Sequence, residues 1–279
     1  MSNWLLPPQS SAVARYIECY WFIEKRPEHV SHSHPKLNPD PSAHLIFSPD
    51  EQAYNYSHKP TAYKGKGTHW LYPHHQTIQV DHSKPFIHLG VKFHTGALYS
   101  LNTPNYSHPS LDTVDNFDAN DLLNAANLTV DQLILSAQSN PSKCCKQLEL
   151  VLLPWILSSS EDQRSDLTQK ALQLLGNISI SNLGDALNCS QRTLERSFRR
   201  VTGLTLKQYL TMNKLEEMLE YLHQRDNTDI EWVEVAYQFG FSDQPHLIRH
   251  LKQLIGVTPK AYVKERGFTI DVYGGIDTL

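Results

Sequence analysis

At 279 residues the chain is long enough for two domains, each with its own apolar core. Its formal net charge of −4 excludes a protein that coats nucleic acid through bulk positive charge. No apolar run approaches the length needed to span a bilayer, so a soluble cytoplasmic protein with no membrane partner is expected.

The opening Met1-Ser2-Asn3-Trp4-Leu5-Leu6-Pro7-Pro8 lacks a basic segment and a long apolar core, so no secretory signal is expected. Tyr16 to Ile23 and Ala43 to Phe47 are β-rich runs, and short runs around His69–Tyr72 and Thr77–Val80 lie between Pro- and His-rich turns. The clearest strand is Ile87 to His94. There Ile87, Leu89, Val91 and Phe93 alternate with polar or small residues, the period of a half-buried strand. From Leu98 onward the apolar spacing becomes helical, through Leu122, Leu123, Leu133, Ile134 and the stretch Leu148 to Leu157. Strands followed by helices predict an α+β fold for residues 1–157, a small antiparallel β barrel or sandwich, cupin-like, with a helical annex. Residues 158–165 open with Ser158-Ser159-Ser160-Glu161-Asp162-Gln163, which has no apolar residue and reads as a linker.

This first part holds 12 of the 15 histidines, among them His32-Ser33-His34, His74-His75, His88 and His94. Most are expected in exposed loops. A cupin-type metal site is the competing reading, but the segment after His34 is rich in Pro and Asn and lacks the glutamate such a site would carry a few residues on. A surface that responds to pH is a further reading. Tyr16, Tyr20, Trp21, Phe22, Phe47, Trp70, Tyr72, Phe86 and Phe93 are expected mainly as core, with a ligand pocket in the barrel mouth as the alternative. Cys19, Cys144, Cys145 and Cys189 show no paired metal-ligand spacing and read as reduced thiols. No Gly-rich phosphate loop and no nucleophile elbow is present, so no catalytic residue, cofactor or metal is assigned, and no enzyme is expected.

Charge divides unevenly, −3 over residues 1–164 and +1 over residues 165–266, so any DNA contact in the second part must come from clustered cations. Arg192, Arg196, Arg199 and Arg200 supply such a cluster within ten residues. Ile180, Leu183, Ala186 and Leu187 form one helical stripe, and Leu194, Phe198 and Val201 form the next. Asn188-Cys189 makes the turn between them, and Ser190 is placed as the cap of the second helix. The layout recurs about 50 residues later. There Gly240 is the turn, Ser242 the expected cap, and Phe241, Leu247, Leu251 and Leu254 the core stripe. Gln244, His246, Arg249 and His250 are left facing outward, and Pro245 falls in the first turn, where its missing N–H costs nothing. Between the two copies, Lys207 to His223 has no Gly or Pro and predicts one long connecting helix. A duplicated helix-turn-helix joined by a helix is an all-α reader of DNA, its second helices entering the major groove.

These features, with Phe239-Gly240-Phe241-Ser242-Asp243 and Gly256-Val257-Thr258-Pro259 in the same order and spacing, resemble the arabinose-operon regulator (AraC/XylS) family of transcription factors over residues 166–266. Pro245, Leu247 and Leu251 depart from the residues usual at their positions. Gly90 to Tyr99 is similar to a segment of the sensing domains of some members. The resemblance implies a transcriptional regulator that binds double-stranded operator or promoter DNA. It further implies a small-molecule effector bound to the N-terminal domain, contact with RNA polymerase, and a homodimer formed through that domain. Carried over by position, Arg192, Thr193 and Arg196 reach bases from the first recognition helix, with Gln191 and Arg200 near phosphates. Gln244, His246 and Arg249 serve in the second, and Ser190 and Ser242 cap the two helices. Residues 267–279 read as a tail. The alternative is a metal-dependent cupin-type enzyme or sensor whose C-terminal helices are an interaction module.

Overall fold

The structure is a computed structural model that describes residues 2–28, 33–58, 60–101, 103, 109–223, 225, 230–256, 258, 259 and 261. Histidines 29, 32 and 108, Val257 of the Gly-Val-Thr-Pro motif and the tail 267–279 lie outside the described residues.

The N-terminal part is built from two antiparallel sheets. One has six strands in the order β1 (Ser2–Leu6), β2 (Ile17–Lys25), β9 (Phe86–Phe93), β4 (His44–Phe47), β7 (His69–Leu71) and β10 (Val114–Asn116). The other has four, β3 (Lys36–Leu37), β8 (Ile78–Val80), β5 (Ala53–His58) and β6 (Thr61–Lys66). Trp21, Ile23, Ile46, Tyr56, Leu71 and Ile78 fill the space between the sheets. The outer face of the six-stranded sheet, with Tyr20, Phe22, Leu45, Leu89, Val91 and Phe93, is covered by the helical annex. That annex consists of α1 (Ser11–Ala14), α2 (Ala97–Leu101), α3 (Asn120–Ala125), α4 (Val130–Ser139) and α5 (Pro141–Leu157). The expected α+β sandwich with a helical annex is therefore what forms. The aromatic residues expected as core are mostly buried, and Tyr72 is half-buried.

Two expectations are corrected. Strand β9 is buried along both faces instead of half-buried, because it lies in the middle of the sheet between β2 and β4. Its polar residues survive burial by pairing: His88 Nδ1 with the Ser48 hydroxyl at 2.8 Å, and Lys92 with a group of carboxylates. Trp21 lies so close over Gly90 that a Cβ there would sit 1.9 Å from the indole. The second correction concerns the histidines. His44, His69, His74, His82 and His88 are buried rather than on exposed loops. His69 shows how: its Nδ1 donates to the Gly67 carbonyl at 2.8 Å, and its Nε2 accepts from the Tyr56 hydroxyl at 2.9 Å. The ring is thereby held neutral in one tautomer.

The helical part follows with α6 (Gln163–Leu174), α7 (Ile180–Ala186), α8 (Gln191–Thr202), α9 (Leu206–His223), α10 (Trp232–Gln238) and α11 (Gln244–Ile255). Helix α6 begins inside the segment expected as linker, capped by Asp162, whose carboxylate accepts from the Arg164 and Ser165 N–H groups. That segment is also tied down: the Tyr16 hydroxyl donates to Glu161 at 3.1 Å and the Tyr99 hydroxyl to Asp162 at 2.7 Å. Two separate cores result. One joins α6, α7, α8 and the start of α9 through Leu183, Leu194, Phe198 and Met212. The other joins the end of α9 to α10 and α11 through Leu219, Leu222, Val235, Leu247 and Leu251.

Burial pushes His69 down to about 4, His82 to about 3 and His88 well below the ordinary histidine range. A histidine depressed in the folded state leaves stability intact above its unfolded value, about 6.5, and removes it as pH falls toward the folded value. Acidification from pH 7.5 to 5 should therefore cost roughly 2 kcal/mol through His69 alone. Glu216, held up at about 7, acts in the opposite sense over the same window. The melting temperature measured against pH in a Glu216→Gln background should fall on acidification. Adding His82→Leu should recover part of that fall, and a flat profile would show that these rings titrate freely.

Candidate nucleic-acid interface

Helices α8 and α11 are built alike. The turn before α8 passes through Asn188 at φ 53° and the turn before α11 through Gly240 at φ 66°, as expected of the left-handed residue in each turn. Each helix ends at a left-handed glycine, Gly203 or Gly256, which closes the last turn. Leu194, Phe198 and Val201 bury one face of α8, and Leu247, Leu251 and Ile255 bury one face of α11. In α7 the buried positions are Leu183 and Gly184, whereas Ala186, expected in the core stripe, is exposed. Gly184 packs directly on the turn, where a Cβ would lie 2.9 Å from the Cys189 carbonyl oxygen.

On α8, Ser190 is the cap, its hydroxyl accepting from the Thr193 N–H at 3.2 Å. Arg192, Arg196, Arg199 and Arg200 are all exposed, and none is in an ion pair among the described residues. Arg192, Arg196 and Arg199 follow one another at spacings of one turn, so they share a face and leave their guanidinium donors free for an external acceptor. Thr193 is half-buried beside the cap. Gln191 Nε2 donates to Glu195 at 2.9 Å, which commits that nitrogen within the helix.

On α11 the cap is Asp243, not Ser242. The Asp243 carboxylate accepts from the His246 N–H at 2.6 Å, while the Ser242 hydroxyl and N–H both turn to the His246 ring Nδ1, at 3.1 and 3.4 Å. In the tandem Ser-Asp either residue could cap. The aspartate prevails because a carboxylate is the stronger acceptor for an N–H at the positive end of a helix. Since Ser242 N–H donates to Nδ1, the ring proton sits on Nε2, which leaves His246 with one outward-facing donor. Pro245 occupies the first turn as expected. Gln244 is half-buried and His246 and Arg249 are exposed, so all three are within reach of the surface. His250 is half-buried against Phe241, and burial followed by His246 and Lys214 lowers its pKa. Lys214 of α9 belongs to no motif that marks it in the sequence. It reaches across to lie 5.1 Å from the Phe241 ring, bracing the turn.

The two recognition helices are connected in two ways. Helix α9 spans both cores without a break, as expected of Lys207 to His223. The N-terminal part also touches the C-terminal end of each helix. Gly96 lies against Val201 and Thr202, and Pro109 and Leu111 against Gly203, at the end of α8. At the end of α11 the Thr77 hydroxyl donates to the Leu254 carbonyl, and Lys36 Nζ donates to the Ile255 carbonyl at 3.2 Å. The N-terminal turns of α8 and α11, with their polar side chains, stay open.

Comparison with known proteins places a match to a helix-turn-helix domain family over residues 183–265 and to a domain of unknown function (DUF6597) over residues 6–108. The uncharacterized HTH-type transcriptional regulator YidL of Escherichia coli (strain K12) is 27% identical over 126 residues, covering 42% of this chain and 41% of YidL. The HTH-type transcriptional activator AarP of Providencia stuartii is 21% identical over 89 residues, covering 32% of this chain and 64% of AarP. The chain thus spans less than two thirds of either relative. Among solved structures, ToxT from Vibrio cholerae aligns over 88% of this chain and 98% of its own, with 14% identity and a TM-score of 0.45.

Loss of a carboxylate cap costs about 1 kcal/mol. Asp243→Ala should lower stability by that amount in a denaturant titration, whereas Ser242→Ala should cost a few tenths at most. Equal losses from the two would restore the serine as the cap.

Proposed function

We propose that this chain, whose residues 183–265 form an AraC-type helix-turn-helix domain, is a sequence-specific transcriptional regulator that reads double-stranded operator DNA with α8 and α11. One observation carries the reading: two independently cored helix-turn-helix units sit on one continuous helix, each with its polar recognition face open. Two such helices fit successive major grooves on one side of a duplex, about 34 Å apart.

In this reading Arg192 and Arg196 reach base edges from α8, Thr193 supports them, and Arg200 and Gln191 lie near phosphate. On α11, Gln244, His246 and Arg249 face the second groove. Ser190 caps α8 and, with the free N–H groups of its first turn, is placed to meet phosphate. Residues 1–157 form the sensing part, taking a small-molecule effector and contributing the dimer contact. Leu150, Leu153 and Leu157, exposed along one side of α5, support that contact. RNA polymerase is the further partner and the cytoplasm the site of action. The metal-dependent alternative has little support, since no group of three or more potential ligands clusters among the described residues.

The arginine helix tests the reading. Arg196→Ala should weaken binding to a duplex that the wild-type chain selects from a random pool by about 1–3 kcal/mol. Arg200→Ala should weaken all duplexes alike and flatten the salt dependence. An Arg196→Ala chain with wild-type affinity in a gel-shift titration would show that α8 does not read bases.

A further inference from the structure

A cleft of about 460 Å³ opens where the sandwich meets the helical part. Its walls come from elements far apart in sequence: Glu18 of β2, Lys92 of β9, Thr168 of α6, and Tyr209, Asn213 and Glu216 of α9. Lys92 forms the floor, its side chain only 3% exposed. Its Nζ lies 3.0 Å from Glu18 Oε1, 3.6 Å from Glu216 Oε1 and 3.8 Å from Asp40 Oδ2. Glu18 and Glu216 are 39% and 38% exposed and both line the opening.

The charges in this space do not balance. Three carboxylates share one ammonium, and Arg15 at the rim is already paired with Glu161 at 3.3 Å. Asp40 stays ionised. Burial works against it, but Lys92 and the bond from His44 hold its carboxyl well below the usual range. The surplus therefore falls on Glu216. Burial, with Asp40 and Glu18 adding to it, outweighs Lys92 and pushes that carboxyl up to about 7. Near neutrality a proton supplies the missing positive charge.

A second observation points into the same space. Thr168 lines the cleft, is 1% exposed, and its hydroxyl has no hydrogen-bond partner among the described residues. A buried hydroxyl without a partner is rare in a folded protein and calls for an explanation.

We propose that this cleft binds a small organic cation, a primary amine or a guanidinium, whose charged head meets the exposed edges of Glu18 and Glu216 on the open side of Lys92, with Thr168 as a further hydrogen-bonding group. An ammonium carries three donors and no acceptor, which suits two carboxylates and a hydroxyl. The volume admits a ligand of ordinary metabolite size. The lining is mixed, with Tyr209, Asn213 and the carboxylates beside Leu172 and Val201, which suits a cation carrying a short apolar stem. A bare metal ion fits poorly, because Lys92 fills the centre of the carboxylate group. This deepens the reading of the N-terminal part as a sensor by naming the chemical class sensed. The ligand would touch the sandwich, α6 and α9 at once.

The test is calorimetric titration of the full chain, without DNA, using 1,4-diaminobutane and 4-guanidinobutylamine as probes. Butyrate and potassium chloride serve as controls. Glu216 faces Lys92, Glu18 and Asp40 across the cleft and Tyr209 on its own helix, with His94 and Arg15 also lining the cleft. Of these, Glu216 is the one shifted into the range between pH 6 and 8. At least one amine probe should bind saturably and about tenfold more tightly at pH 8 than at pH 6, as the competing proton leaves. Glu216→Gln, a part-exposed and near-isosteric change, should still unfold in one cooperative transition, weaken binding at least tenfold and abolish the pH dependence. Glu18→Gln should weaken binding as well, and Thr168→Val should do so by a few-fold. Absence of saturable binding by both probes, unchanged affinity in Glu216→Gln, or binding of butyrate instead would each overturn the proposal. With no DNA in the cell, such a failure leaves the reading of α8 and α11 untouched, and failure of the arginine test leaves this one untouched.

Discussion

A single buried ammonium organises the middle of this molecule. Lys92 stands on the central strand of the six-stranded sheet with its side chain almost wholly enclosed. An enclosed charge without partners costs several kcal/mol, so the surroundings must supply them. Glu18 comes from the neighbouring strand, Asp40 from the segment ahead of β4, and Glu216 from the connecting helix. Asp40 is fixed in turn by a chain of donors: Trp21 Nε1 donates to His44 Nδ1 at 3.1 Å, and His44 Nε2 donates to Asp40 at 3.1 Å. Trp21 can lie where it does only because position 90 has no side chain. One charge thus ties the register of β2, β4 and β9 to the position of α9.

The C-terminal architecture was legible in the sequence because its signals are local. A left-handed turn residue, a cap two or three residues later and an apolar stripe at helical spacing are all set within about twenty residues. Where two local solutions compete, the reading fails, as at Ser242 and Asp243. The N-terminal part was legible only where strands are apolar. The β5–β6 hairpin, with Tyr54-Asn55-Tyr56-Ser57-His58 facing Thr61-Ala62-Tyr63-Lys64-Gly65-Lys66, carries too many polar residues to announce itself. The buried histidines were misplaced for a related reason. Whether a histidine can be enclosed depends on partners such as Tyr56 for His69 or Ser48 for His88, and the fold alone brings these together. The cleft is a stronger case, since its two part-exposed carboxylates, Glu18 and Glu216, are far apart in the chain.

The two helix-turn-helix units share a helix but not a core, which makes their relative placement a matter of how α9 is held. Helix α9 alone would be free to bend along its length, as long helices do. Contacts at its middle, at the end of α8 and at the end of α11 all come from the N-terminal part. The sandwich is therefore part of the frame that sets the distance between the recognition helices.

The contact at the end of α11 has a consequence for how the protein is made. The last carbonyls of a helix have no partner within it, and they carry the negative end of its dipole. Here Thr77 and Lys36, from the first third of the chain, meet the carbonyls of Leu254 and Ile255. During synthesis the receiving surface leaves the ribosome long before the helix that docks on it. The second recognition helix is seated last, against a finished template, and a chain whose sandwich folded badly would emerge with that helix intact but wrongly aimed.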